Sequence, residues 1–205
     1  MSTDSPQHGS PHHEATRSAA RLDADITIRH AAATDLPDIV AIYNESIPGR
    51  LATSDLEPVT VDSRRAWFDA HTPVRRPIWV AVDHHRIVGW LSLRDFYGRP
   101  AYHATVEVAC YIASSHHRRG IASALLTHAI AHAPALGIRT LLAFVFAHNG
   151  PSNRLLDRFG FVPWGHLPRV AELDHIERDL IIRGLRLDTK PVKAPPPLPS
   201  NPVRP

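Results

Sequence analysis

One mixed α/β domain is the fold class that the 205-residue sequence predicts, and three observations point to it. Runs in which apolar and polar residues alternate with period two, most clearly residues 105–112 (TVEVACYI), are interspersed with runs at helical spacing. Their order is β α α β β β α β α β β, with the strongest βαβ unit between Thr105 and Phe146. Once the two ends are set aside, about 163 residues remain, enough to bury a sizeable core.

Taken in order, residues 25–30 (DITIRH) alternate as a half-buried strand does. Thr34 or Asp35 is placed to cap a helix whose apolar face holds Leu36, Ile39, Val40 and Tyr43. Residues 44–58 have turn residues and no clear period, and residues 63–70 suggest a second short helix. Two apolar runs, 78–83 and 87–93, are divided by the turn-like Asp83-His84-His85-Arg86 and read as a hairpin. A loop with Gly98, Arg99 and Pro100 leads to the strand at 105–112. Residues 120–133 form an alanine- and leucine-rich helix that closes around Pro134 and Gly137. A strand at 140–146 follows, then a helix at 152–158 capped by Ser152 and ended by Gly160. Strands near 161–164 and 175–185 complete the domain.

Composition excludes several functional classes. Lys and Arg number 23 against 20 Asp and Glu, a net charge of +3, which is too small a surplus to imply nucleic acid. The single cysteine, Cys110, excludes a disulfide framework and a cysteine-rich zinc site and suits a reducing compartment, so a cytoplasmic protein is expected. No run approaches the ~18 apolar residues of a membrane span, and the N-terminus lacks the apolar core of a signal peptide. Seven of the 19 prolines fall in residues 188–205, a tail that reads as polyproline-like or disordered. Its Pro196 and Pro199 make a P-x-x-P, so an adaptor binding SH3-type domains is one alternative role. Residues 1–24 are small, polar and patternless and read as a flexible arm. His84-His85, His116-His117 and the pair His128 and His132 lack the three or four convergent ligands of a zinc site, so no metal is expected.

The chemistry concentrates after the strand at 105–112. There a short polar loop, Ser114-Ser-His-His-Arg118-Arg119, runs into a helix whose first turn holds Gly120 and Ala122. Glycine lets a ligand approach the backbone closely. The free N–H groups and positive dipole end of a helix suit a phosphate, and Arg118 and Arg119 add charge. The loop is neither a Walker loop nor a G-x-G-x-x-G. A second motif follows the next strand: Asn149-Gly-Pro-Ser152-Asn-Arg-Leu155-Leu-Asp-Arg-Phe-Gly160-Phe161.

Together these motifs resemble those of the GNAT superfamily of acetyl-CoA-dependent N-acetyltransferases. His117-Arg-Arg-Gly120-Ile-Ala122 fills the family's Q/R-x-x-G-x-G/A pyrophosphate loop. Asn149, Ser152, Leu155, Gly160 and Phe161 fill its N-x-x-S-x-x-L-x-x-x-x-G-F. Further likeness to the phosphinothricin and methionine sulfoximine acetyltransferase group lies in Ile39-Val-Ala-Ile-Tyr-Asn44, Arg99-Pro-Ala-Tyr102, Thr105-Val-Glu107 and residues 177–187. The resemblance spans about residues 26–187 and implies a mostly antiparallel mixed sheet with splayed strands flanked by helices.

It also implies roles. Main-chain groups of Cys110, Tyr111 and Ile112 would hold the pantetheine arm of acetyl-CoA. The amides of Arg118, Arg119, Gly120, Ile121, Ala122 and Ser123 would receive the pyrophosphate, and Asn149 and Ser152 would contact the pantetheine end. Glu107 would take a proton from the substrate ammonium, because an amine is nucleophilic only when neutral. Arg99 and Tyr102 would bind the amino-acid substrate, the guanidinium pairing with its carboxylate. The resemblance further implies a homodimer and a small-molecule amine substrate, with no covalent intermediate on Cys110. Two departures stand out: His117 where the family prefers Gln or Arg, and Leu156 where it carries a proton-transferring Tyr or His. Leucine cannot transfer a proton, so an acyl-CoA-binding module with little turnover, or an acetyltransferase for another primary amine, are the alternatives.

Overall fold

The structure, a computed structural model, describes residues 26–187; the predicted arm at 1–24 and the proline-rich tail at 188–205 lie outside the described residues. The elements are β1 (Ile26–His30), α1 (Leu36–Glu45), α2 (Val61–Asp69), β2 (Ile78–Asp83), β3 (Arg86–Asp95), β4 (Thr105–Ile112), α3 (Ile121–His132), β5 (Thr140–Phe146), α4 (Gly150–Arg158), β6 (Val162–Leu173) and β7 (Ile176–Arg186). The strands form one sheet in the order β1-β2-β3-β4-β5-β7-β6. Every neighbouring pair is antiparallel except β4 and β5, which the α3 crossover makes parallel.

Period-two alternation divides the strands' side chains between two helix layers. On one face Trp79, Leu91, Leu93, Val106, Val108, Leu141 and Ala143 pack with Ile121, Leu125 and Ala129 of α3 and Leu156 of α4. On the other, Ile78, Val80 and Trp90 pack with Ile39 and Ile42 of α1, with Trp67 and Phe68 of α2 at the margin.

Local chemistry explains the joints. The β2–β3 turn places His84 and His85 at φ 42° and 71°, and the β6–β7 turn places Asp174 and His175 at 50° and 65°. Two successive left-handed residues match the twist of the flanking strands, so both hairpins close in two residues without glycine. At the β1–α1 corner Asp35 stands at the N-cap of α1, but its carboxylate does not cap the helix. Instead it accepts from the Ala32 amide at 2.7 Å and from Arg29 at 2.6 and 3.0 Å, and the Arg29 contact holds it below the usual carboxylate range. For α4 the cap is Asn149, whose Oδ1 accepts from the Ser152 amide at 3.1 Å; Ser152 itself lies inside the helix. β6 runs twelve residues where the sequence suggested four, as an edge strand that carries Pro163 and Pro168.

Gly89 sets how closely α3 approaches the sheet. A β-carbon there would lie 2.5 Å from Ile112 Cδ1, 3.1 Å from the Tyr111 carbonyl and 3.4 Å from Ile121 Cγ2. Gly89→Val is therefore expected to cost roughly 1–3 kcal/mol by overpacking, read as a lower urea midpoint at unchanged m-value.

Candidate active site

The β4–β5 pairing is short. Thr105, Val106 and Glu107 face Thr140, Leu141 and Leu142, and there the ladder stops. Beyond that rung β4 continues to Ile112 paired only with β3, and β5 continues to Phe146 paired only with β7. The two parallel strands open as a fork, and along residues 108–112 the backbone groups turned away from β3 have no neighbouring strand. A half-buried ladder left open in this way offers its N–H and C=O groups to a ligand with amide groups of its own.

At the mouth of the fork stands the start of α3. Arg118 (φ 64°) and Gly120 (φ 81°) both take left-handed backbone, with Gly120 at the N-cap. Helix geometry leaves the N–H groups of the first turn without intrahelical acceptors and puts the positive end of the dipole there, an arrangement at Gly120, Ile121, Ala122 and Ser123 that suits an anion. The surrounding polar groups fix the loop. His117 donates through Nε2 to the Ile112 carbonyl (3.0 Å), and Glu45 accepts from the Ser114 amide (2.7 Å). Arg119 reaches Asp83 at 3.2 Å, and His116 lies 3.3 Å from the same carboxylate. The charge of Arg119 is thus shared with β2 rather than directed only at this cradle at the start of α3.

At the apex stands Glu107, on the α1–α2 face and at the last closed rung. Its cross-strand partner Arg94 donates to Oε2 at 2.5 Å, and the carboxylate keeps 23% of its exposure. Sequence reasoning missed Arg94; the β3–β4 register that pairs positions 94 and 107 is the signal that reveals it. Arg99 and Tyr102 line a separate hollow of about 170 Å³ at the β3–β4 loop, with Arg75, Asp95 and His103. Glu107 is not in its wall. Phe96 links the two places, meeting Tyr102 edge-on at 5.5 Å and stacking at 6.5 Å on Phe144 of β5.

Three other side chains are taken up by the protein's own structure. The Asn149 side chain is 95% enclosed, since its exposure is 5%, and both ends of its amide are used: Oδ1 caps α4 and Nδ2 donates to the Leu51 carbonyl at 2.9 Å. Leu156 turns into the α3-face core at 6% exposure, so position 156 is a packing position in this chain. Cys110 packs against the same core, and burial pushes its thiol up to about 12. Iodoacetamide at pH 8 is therefore expected to label native Cys110 far more slowly than Cys110 of the unfolded chain, by peptide mass spectrometry. Among the described residues no group of three His, Cys, Asp or Glu side chains is placed to hold a metal ion, and no helix is long and apolar enough to cross a membrane.

A forked parallel pair that opens on a glycine-started helix suits a long, amide-bearing and phosphorylated cofactor, as an acyl-CoA-dependent transferase requires. The chain belongs to the acetyltransferase (GNAT) family, whose sequence profile matches residues 36–161. It is 46% identical to YwnH of Bacillus subtilis over 163 residues, 79% of this chain and 99% of that one. It is 33% identical, over 79% of this chain and 95% of the relative, to the L-methionine sulfoximine/L-methionine sulfone acetyltransferase of Pseudomonas paraeruginosa. Among solved structures, the GNAT phosphinothricin acetyltransferase of Sinorhizobium meliloti in complex with acetyl-CoA superposes with a TM-score of 0.75 at 28% identity, covering 84% of this chain and 96% of that one. The protein is an acetyl-CoA-dependent N-acetyltransferase.

Proposed function

We propose that the enzyme acetylates the α-amino group of a small amino acid or analogue, of the methionine sulfoximine or phosphinothricin kind, by direct attack of the neutral amine. One observation carries the reading: Glu107 stands at the last closed rung, the point toward which a chain laid along the open ladder would bring its reactive end. Acetyl-CoA supplies an acyl carbon activated as a thioester. The open edge of Cys110, Tyr111 and Ile112 would take its amide-bearing arm, and the α3 cradle its phosphates. Glu107 accepts the proton that the ammonium must lose, and Arg94 keeps the carboxylate oriented while it does so. Arg99 is proposed to pair with the substrate carboxylate and Tyr102 to wall the amino-acid side, with Phe96 linking their hollow to the apex. Leu156 leaves protonation of the departing thiolate to solvent, which suffices for a thiol with a pKa near ~8.5.

The reading includes a domain bounded at residues 25–187, a cytoplasmic setting, since acetyl-CoA is an intracellular donor, and a homodimer. Exposed Val162, Trp164 and Val170 give edge strand β6 apolar surface suited to a second copy of the chain, and light scattering checks it. Thiol release from acetyl-CoA tests the reaction itself. Methionine sulfoximine and phosphinothricin are expected to turn over, and lysine-bearing peptides to be poor acceptors. Turnover confined to the peptides would overturn the substrate class.

A further inference from the structure

The α1–α2 segment carries a pattern that the reaction as described does not use. Three consecutive carbonyls are gripped by three side chains: Arg50 O by His148 Nε2 at 2.9 Å, Leu51 O by Asn149 Nδ2 at 2.9 Å, and Ala52 O by the Tyr111 hydroxyl at 3.1 Å. Tyr111 is near the end of β4, whereas His148 and Asn149 directly follow β5. Because β4 and β5 are parallel and part beyond Glu107, these are the two tips of the fork. The segment therefore crosses the mouth from one tip to the other.

Both anchorages are reinforced. On the β4 side the Tyr111 ring stacks on Trp90 at 4.7 Å and meets Tyr43 edge-on at 5.0 Å. The Tyr43 hydroxyl in turn bonds Thr53 and Asp55, and Arg64 lies over the Tyr43 ring at 4.7 Å while holding Asp55 at 2.7 Å. On the β5 side Arg50, in left-handed backbone, pairs with Asp174 of the β6–β7 turn at 2.8 and 3.0 Å. A segment pinned this firmly at both ends has one length, and it fixes the separation of what it joins.

We propose that residues 50–52 form a strap that sets the width of the fork, with Tyr111 and Asn149 as positioning residues acting on the acyl donor through it. The proposal rests on the reading that the fork holds the donor. The geometry assigns Asn149 a part in donor binding through the strap, because its Nδ2 grips the Leu51 carbonyl while its Oδ1 caps α4. Since the two residues grip adjacent carbonyls from opposite tips, loss of either slackens the same three-residue span, which His148 and the Arg50–Asp174 pair still hold from the β5 side.

Calorimetric binding of CoA to the full chain tests this, with Tyr111→Phe, which keeps the ring stack, and Asn149→Asp, which keeps the α4 cap acceptor while losing the donor to Leu51. Each single variant is expected to weaken CoA about tenfold, and the double variant no more than about twofold further. Thermal midpoints taken alongside show that the variants are folded. Additive losses near a hundredfold, or unchanged CoA affinity in either single variant, overturn the strap. Failure of the unaltered protein to bind CoA would instead overturn the reading of the fork. Restored affinity in Asn149→Gln, which keeps an amide donor, would support the strap, because a residue acting only as a helix cap gains nothing from the longer side chain.

Discussion

Replacing Glu107 by Gln is expected to lower kcat by roughly 10²–10³-fold, with CoA affinity unchanged. The substitution keeps the shape of the side chain and an acceptor for Arg94, and removes the negative charge and with it the ability to take a proton. The pH profile gives the sharper readout. Without the base, turnover depends on the fraction of amine already neutral in solution, so the rate should climb about tenfold per pH unit up to the substrate's own pKa. The unaltered enzyme should reach its plateau at lower pH. A profile for Glu107→Gln parallel to that of the unaltered enzyme would show that the carboxylate does not act as base.

The second large effect concerns Gly120, where backbone cost and ligand cost can be separated because they rank substitutions in opposite orders. At φ 81° an alanine pays about 1–2 kcal/mol for its β-carbon, and aspartate tolerates left-handed backbone better. Stability is therefore expected to fall in the order Gly120, Gly120→Asp, Gly120→Ala. Affinity for CoA should instead fall in the order Gly120, Gly120→Ala, Gly120→Asp, since aspartate sets a negative charge where the helix N-terminus would receive phosphate. A loss of about tenfold for alanine and a hundredfold or more for aspartate is expected, a gap of at least ~1.4 kcal/mol. Denaturant unfolding and calorimetry on the same three proteins check both orders. If aspartate binds CoA as well as alanine does, the phosphates lie elsewhere.

How far the sequence foretold this site follows from the physical range of each interaction. The strand, loop and helix that build the cradle are contiguous, so alternation, the polar loop and Gly120 were all readable within twenty residues. The fold class follows from the same local signals. Only the start of β6 is readable, because irregular register between Pro163 and Gly165 and between Leu167 and Ala171 resets its alternation, and an edge strand exposed on both sides has little apolar period to display. The α4 cap went to Ser152 because serine is a good capping residue; Asn149, three positions earlier, does the work, with Pro151 in the first turn. Arg94 needs the hairpin register to find its carboxylate. The strap lies furthest from local pattern: Arg50 and His148, like Leu51 and Asn149, are 98 positions apart, and no spacing rule connects a backbone carbonyl with a distant side chain.

The three-rung seam between β4 and β5 gives the molecule the mechanics of a pair of tongs. Glu107 and Leu142 form the pivot, and the tip of β4 at Ile112 lies five residues, or ~17 Å, along the lever. With residues 50–52 tying the tips together, what give remains there turns each arm through only a small angle, and displacement falls toward zero at the hinge. Glu107, the proposed base, sits where such motion disturbs it least, so its position is already set from one turnover to the next.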